Sequence, residues 1–219
     1  MATEKGSAIK AIIVAAPNFR SVEFEIQGTA PFVMNKFSNK AKAGMMQAMG
    51  ETKGAKGRGS AAKREPVNWE EKLDGAIHYS VDGWIGIPAA SFRAAAISAC
   101  RIVGFKRTLA KLGIFVRPDG FDRDEGSPLV RLYGDYRPVD HVVRLATGVA
   151  TVTRRPIWDA WSAKVVVDYD GDMFSNGDLY NLFSRVGLQV GIGEGRPDSK
   201  ESAGMGWGTF RIVAVKELV

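Results

Sequence analysis

Residues 191–208 read Gly-Ile-Gly-Glu-Gly-Arg-Pro-Asp-Ser-Lys-Glu-Ser-Ala-Gly-Met-Gly-Trp-Gly. A segment this rich in glycine is a loop, so what flanks it is constrained. Before it, Leu179, Leu182, Phe183 and Val186 fall on one face of a helix over Gly177–Val186, with Ser175 or Asn176 as its cap and Gly187 at its C-terminal end. After it, Thr209–Val215 reads as a closing strand. The spacing of Gly191, Gly193 and Gly195 is G-x-G-x-G, and the order helix–loop–strand is the reverse of a dinucleotide-binding fingerprint. No Gly-Lys-Ser or Gly-Lys-Thr ends it as in a P-loop, so a nucleotide cofactor is not expected. Glycine instead lets a backbone approach a ligand closely and offer N–H groups to phosphate oxygens. Arg196 and Lys200 add charge to the same loop, which otherwise serves as a flexible connection.

The rest of the chain alternates strands and helices. Val22, Phe24 and Ile26 share one face of a strand over 21–28, and Glu23, Glu25 and Gln27 the other. The apolar run Ala11–Ala15 is a further strand candidate. Residues 76–87 form a hairpin about Asp82-Gly83. Pro88 opens a helix running to about Val103, with Phe92, Ala96, Ala99 and Val103 on its apolar stripe. Gly104 ends it, and a basic helical turn starts at Phe105-Lys106-Arg107. Short strands follow over 114–117, 129–133, 142–145, 151–155 and 163–169. This order predicts one α+β domain over 1–219 with a ferredoxin-like (RRM-like) sheet and helices on one face.

Between the first strand and the hairpin lies a basic insertion, about 35–66. It carries Asn35, Lys36, Lys40, Lys42, Lys53, Lys56, Arg58, Lys63 and Arg64, with Glu51 the only acid over 35–64. Its Gly, Ala and Ser content leaves little apolar surface to offset ordering entropy, which predicts a mobile loop or a solvated linker. The whole chain of 219 residues has a net charge of +6 and a sequence pI of about 9.5, a balance that favours polyanionic partners. Cys100 is the single cysteine, so no internal disulfide forms, and two histidines make a zinc site improbable. With no apolar run near the ~18 residues of a membrane span and no signal-peptide core at the N-terminus, a cytoplasmic location is expected and no membrane partner.

Two other places suit phosphate. Gly86-Ile87-Pro88 runs directly into a helix N-terminus, whose unpaired N–H groups and dipole attract anions, with Ser91 and Arg93 in the first turn and Arg101 further along. Plain capping explains these residues equally well. Arg154 and Arg155 stand near Trp158 and Trp161, an arrangement that stacks bases or simply fills a core.

The helix opening Ile-Pro-Ala-Ala-Ser-Phe-Arg and the terminal Gly-Ile-Gly-Glu-Gly-Arg…Gly-Met-Gly-Trp-Gly-Thr-Phe together resemble the CRISPR-associated RAMP superfamily, as does Gln27-Gly28-Thr29-Ala30-Pro31-Phe32 at the end of its first strand. Two departures stand out: Ala89-Ala90-Ser91 replaces the superfamily's frequent Gly-Ser pair, and Pro197–Ala203 lengthens the loop. The resemblance implies a backbone-like subunit that binds single-stranded RNA or DNA, oligomerises along it and meets other effector subunits. Its contacts would be the basic insertion, Ser91, Arg93, Arg101, Lys106, Arg107, Arg154, Arg155, Gly193, Gly195, Arg196 and Lys200. No catalytic, metal or cofactor site is expected. His78 and His141 lie outside the three motifs, and Asp168, Asp170 and Asp172 read as a turn. An endoribonuclease of the same superfamily, or a phage or plasmid interaction module, are the alternatives.

Overall fold

The computed structural model describes residues 15–37, 42, 43, 46, 68–144, 150–199 and 204–218. Residues 11–14 of the proposed strand Ala11–Ala15 and most of the basic insertion, with Lys40, Lys53, Lys56, Arg58, Lys63 and Arg64, lie outside the described residues, as does Lys200, and Ala15 is not in a strand. Lys42, Ala43 and Met46 are helical.

The protein is α+β, with two antiparallel sheets and few helices. In chain order the elements are β1 (Phe19–Gly28), β2 (Phe32–Val33), α1 (Trp69–Asp74), β3 (Gly86–Pro88), α2 (Ala89–Ala99), α3 (Arg107–Gly113), β4 (Ile114–Arg117), β5 (Gly120–Phe121), β6 (Pro128–Tyr133), β7 (Arg137–Arg144), β8 (Ala150–Trp158), β9 (Ser162–Asp170), α4 (Asn176–Arg185) and β10 (Phe210–Leu218). The main sheet runs β10-β1-β9-β6-β3. β4 lies beside β6 on the same edge of β9, pairing with 166–169 while β6 pairs with 162–163, and β5 extends β6. A smaller sheet runs β2-β8-β7.

The predicted alternation of β1 decides which face is buried. Val22, Phe24 and Ile26 are fully buried, each contributing about 1.5–3 kcal/mol of transfer free energy. Phe24 stacks on Phe183 of α4 at 4.9 Å. Val165 and Val167 of β9, Phe92 and Ala96 of α2, and Leu179 and Leu182 of α4 join them in one cluster. The other face of β1 carries Glu23, Glu25 and Gln27.

Helix boundaries differ from expectation at two points. The α-helical bonding of α2 stops at Ala99, and 101–104 close in tighter turns. Val103, assigned to the apolar stripe, is 50 % exposed there, so burial gives no reason to extend the helix. Gly187 does not end α4. The chain continues through a π-helical turn, Val186–Val190, and leaves it at Gly191 with φ +69°. Gly187 is needed for another reason: a Cβ there would stand 2.2 Å from the Phe210 carbonyl oxygen of β10. Ser175 is the α4 cap, in a reciprocal box with Asp178.

Candidate nucleic-acid interface

Three segments far apart in sequence meet at one cleft of about 340 Å³. β2 and the stretch after it contribute Phe32, Met34 and Asn35. The β3–α2 junction contributes Ile87, Pro88 and Ser91, and the glycine-rich loop contributes Gly193, Glu194 and Arg196. Local backbone bonds set each segment. Met34 N–H donates to the Pro156 carbonyl and Lys36 N–H to the Ala76 carbonyl. Pro88 occupies the N-cap of α2, where no side chain bonds the first turn. Its leading N–H groups thus retain their anion-binding character beside Ser91.

The described residues of the glycine loop, 191–199 and 204–208, are folded. Gly191, Gly193, Gly195, Gly204, Gly206 and Gly208 all have positive φ. A Cβ on Gly193 would stand 2.5 Å from the Phe32 ring, and one on Gly195 2.6 Å from Trp207. Much of the backbone is already engaged: the N–H groups of Gly191, Ile192, Glu194 and Gly208 donate to the carbonyls of Val186, Gly208, Val33 and Pro31. Among the described residues, Gly193 and Gly195 N–H donate to no backbone carbonyl. The offer of N–H groups expected of the whole segment is therefore reduced, with Gly193 and Gly195 among those left without a backbone acceptor. Arg196 lines the cleft, its Nη1 donating to the Gly193 carbonyl at 3.1 Å, and has no ion-pair partner among the described residues. The Glu194 carboxylate is held by Arg155 Nε at 2.9 Å, which offsets its charge in the cleft and ties β8 to the loop.

Other expected contacts are occupied inside the protein. Lys36 is buried, with Nζ 3.0 Å from Asp122 and 2.7 Å from Asp124. Arg93 donates to the Ile114 and Lys111 carbonyls and lies over Phe115, so it pins β4 to α2. Arg101 and Ser98 both hold Asp198 of the glycine loop. Arg154 makes a two-pronged pair with Asp140, both contacts 2.8 Å, and Lys42 pairs with Glu125. Lys106 and Arg107, at the start of α3, are exposed. Base stacking by Trp158 and Trp161 is overturned: they are 0 % and 3 % exposed, and their rings brace Phe32 at 5.7 and 5.5 Å. Of the acidic run, Asp168 and Asp170 lie in β9, and the Asp170 carboxylate accepts from the Asp172 N–H in the turn that follows.

His78 was set apart from the motifs by sequence, but it lines the same cleft. Its Nδ1 is 2.8 Å from Asp122 Oδ2. Burial pushes the imidazole below its usual range, against the pull of Asp122. Burial also works against the Asp122 charge, yet hydrogen bonds from His78, Lys36 and the Asp124 and Glu125 amides bring it down to about 2. Lys36 loses to burial but gains more from Asp124 and Asp122, and ends above the ordinary lysine range. No sequence signal pointed to this triad, whose members lie 44 and 86 positions from Asp122.

No family model matches the chain, and no curated protein matches it. Among solved structures it is similar to a chain of the type III-B Cmr-beta complex bound to cognate target RNA, seen by cryo-EM. The TM-score is 0.50 at 11 % identity, covering 92 % of this chain and 61 % of that one. The chain thus spans about three-fifths of the length of its structural relative, and the likeness is one of fold.

Proposed function

We propose that the protein binds single-stranded RNA or DNA along its backbone and assembles side by side on the strand as a RAMP-like subunit. The observation that carries this reading is the convergence of the β2 exit, the α2 N-terminus and the glycine loop on one cleft with Arg196 at its wall. The strand order β10-β1-β9-β4, with α2 between β1 and β4 and α4 between β9 and β10, is read as ferredoxin-like, with β5–β8 inserted. The likeness to an RNA-bound effector chain supports the same class of partner. In the cleft, Arg196 and the first N–H groups of α2 take phosphate oxygens, and Asn35 and Ser91 donate hydrogen bonds. Lys36, Arg93, Arg101 and Arg154 hold the fold instead. The test is fluorescence anisotropy with labelled single-stranded RNA, single-stranded DNA and duplex DNA across a salt series. Salt-sensitive binding to a single strand over duplex supports the reading; no binding by folded protein rejects it. Complexes whose mass grows with strand length support assembly along it.

One observation favours a second reading, RNA cleavage with a histidine as general base. With Asp122 ionised, Nδ1 of His78 carries the proton and Nε2 keeps its lone pair on a residue that lines the cleft, the state a general base requires. Labelled RNA left intact after prolonged incubation rejects it.

A further inference from the structure

The helix-free face of the main sheet carries features that the cleft does not use. Paired residues on neighbouring strands project to the same face. Tyr133 pairs with Ser162, Ser162 with Gln27, and Gln27 with Arg211. They form one row crossing β6, β9, β1 and β10, roughly 14 Å long at ordinary strand spacing. Their chain neighbours Leu132, Ala163, Ile26 and Phe210 point the other way, into the core.

One end of this row is aromatic and cationic. Tyr133 is 43 % exposed. The Arg131 guanidinium lies 5.5 Å from the Tyr133 ring centroid and 5.8 Å from that of Trp84. The indole rests on backbone, since a Cβ at Gly86 or Gly120 would come within 2.8 or 2.7 Å of it. Arg131 is exposed; its backbone N–H donates to Asp119 Oδ2 at 2.7 Å, but among the described residues its guanidinium makes no ion pair. At the other end Arg211 is exposed and likewise has none; its Nη2 donates to Gln27 Oε1 at 2.8 Å. The acidic positions of β1 on this face, Glu23 and Glu25, stand opposite Lys216 and Lys164.

We infer that this face is a second contact surface for single-stranded nucleic acid, stacking unpaired bases on Tyr133 and the Arg131–Trp84 pair. Rings held at fixed positions beside unpaired guanidinium groups suit bases of any identity. A protein-docking face would be apolar at its centre, whereas here the centre is Ser162 and Gln27. The inference rests on the nucleic-acid reading but not on the cleft.

The test uses the whole chain and a short labelled single-stranded RNA carrying 4-thiouridine, with a DNA strand of the same sequence as a parallel probe. Cross-links should map to peptides holding Trp84 or Tyr133. Tyr133→Ala should weaken binding about tenfold and Tyr133→Phe by no more than about twofold, with abasic strands insensitive to either. Cross-links confined to cleft peptides, with Tyr133→Ala and Arg131→Ala binding as wild type, overturn the inference. If Arg196→Ala alone abolishes binding, the face is rejected and the cleft kept; if only the face variants do, the face is kept and the cleft rejected. Unchanged thermal midpoints establish that each variant is folded.

Discussion

At the scale of single residues, the Lys36–Asp122–His78 cluster is where most is at stake. Asp122 is almost fully buried and its charge is tolerable only because donors surround it. Lys36→Ala leaves that carboxylate with fewer partners and is expected to cost about 3 kcal/mol in a denaturant titration. pH acts on the same place. The folded-state pKa of His78 lies below its ordinary 6.5, so the unfolded chain binds the proton more readily. Stability contributed by neutral His78 is whole above pH 6.5 and is lost as pH falls below it. Asp122 acts in the same direction in a lower window, losing its contribution as pH falls from the ordinary carboxylate range toward about 2. The thermal midpoint should therefore drop from pH 7 to pH 5, and His78→Gln should flatten that drop. Lys42 and Glu125, paired beside the cluster, belong to the same charged surroundings.

At the scale of elements, the glycine loop separates two effects. Gly206 has φ +75° but open space around it, so Gly206→Ala meets only backbone strain, about 1 kcal/mol. Gly208 has φ +67° and a Cβ there would stand 1.7 Å from the Ile192 oxygen, so Gly208→Ala should cost about 3 kcal/mol or more. Equal costs for the two in denaturant titrations would contradict a loop packed as described. Period-two alternation made β1 legible, because Val22, Phe24 and Ile26 on one strand face are all buried. The Pro88 junction was equally legible from local chemistry, and the α4 cap to within Ser175 or Asn176. The end of α4 was not. A glycine after a helix normally signals a left-handed turn, but Gly187 answers to a strand that passes close by, a tertiary demand without local trace.

At the scale of the whole molecule, the fold brings Asn35, Ser91, Gly193 and Arg196 together, although they come from three segments picked out on separate grounds. Charge alone was a poorer guide. Lys36, Arg101, Arg154 and Arg155 read as phosphate ligands, yet each holds a carboxylate of its own chain. Residue type records a cation but not its partner, and those partners come from distant segments. The most direct measurement is therefore the salt dependence of single-strand binding in wild type and Arg196→Gln. A cleft that grips phosphates predicts weaker binding and a log–log salt slope shallower by about 0.7 in the variant, the loss of one contact to a single strand. An unchanged slope and affinity in a folded Arg196→Gln protein would contradict the account.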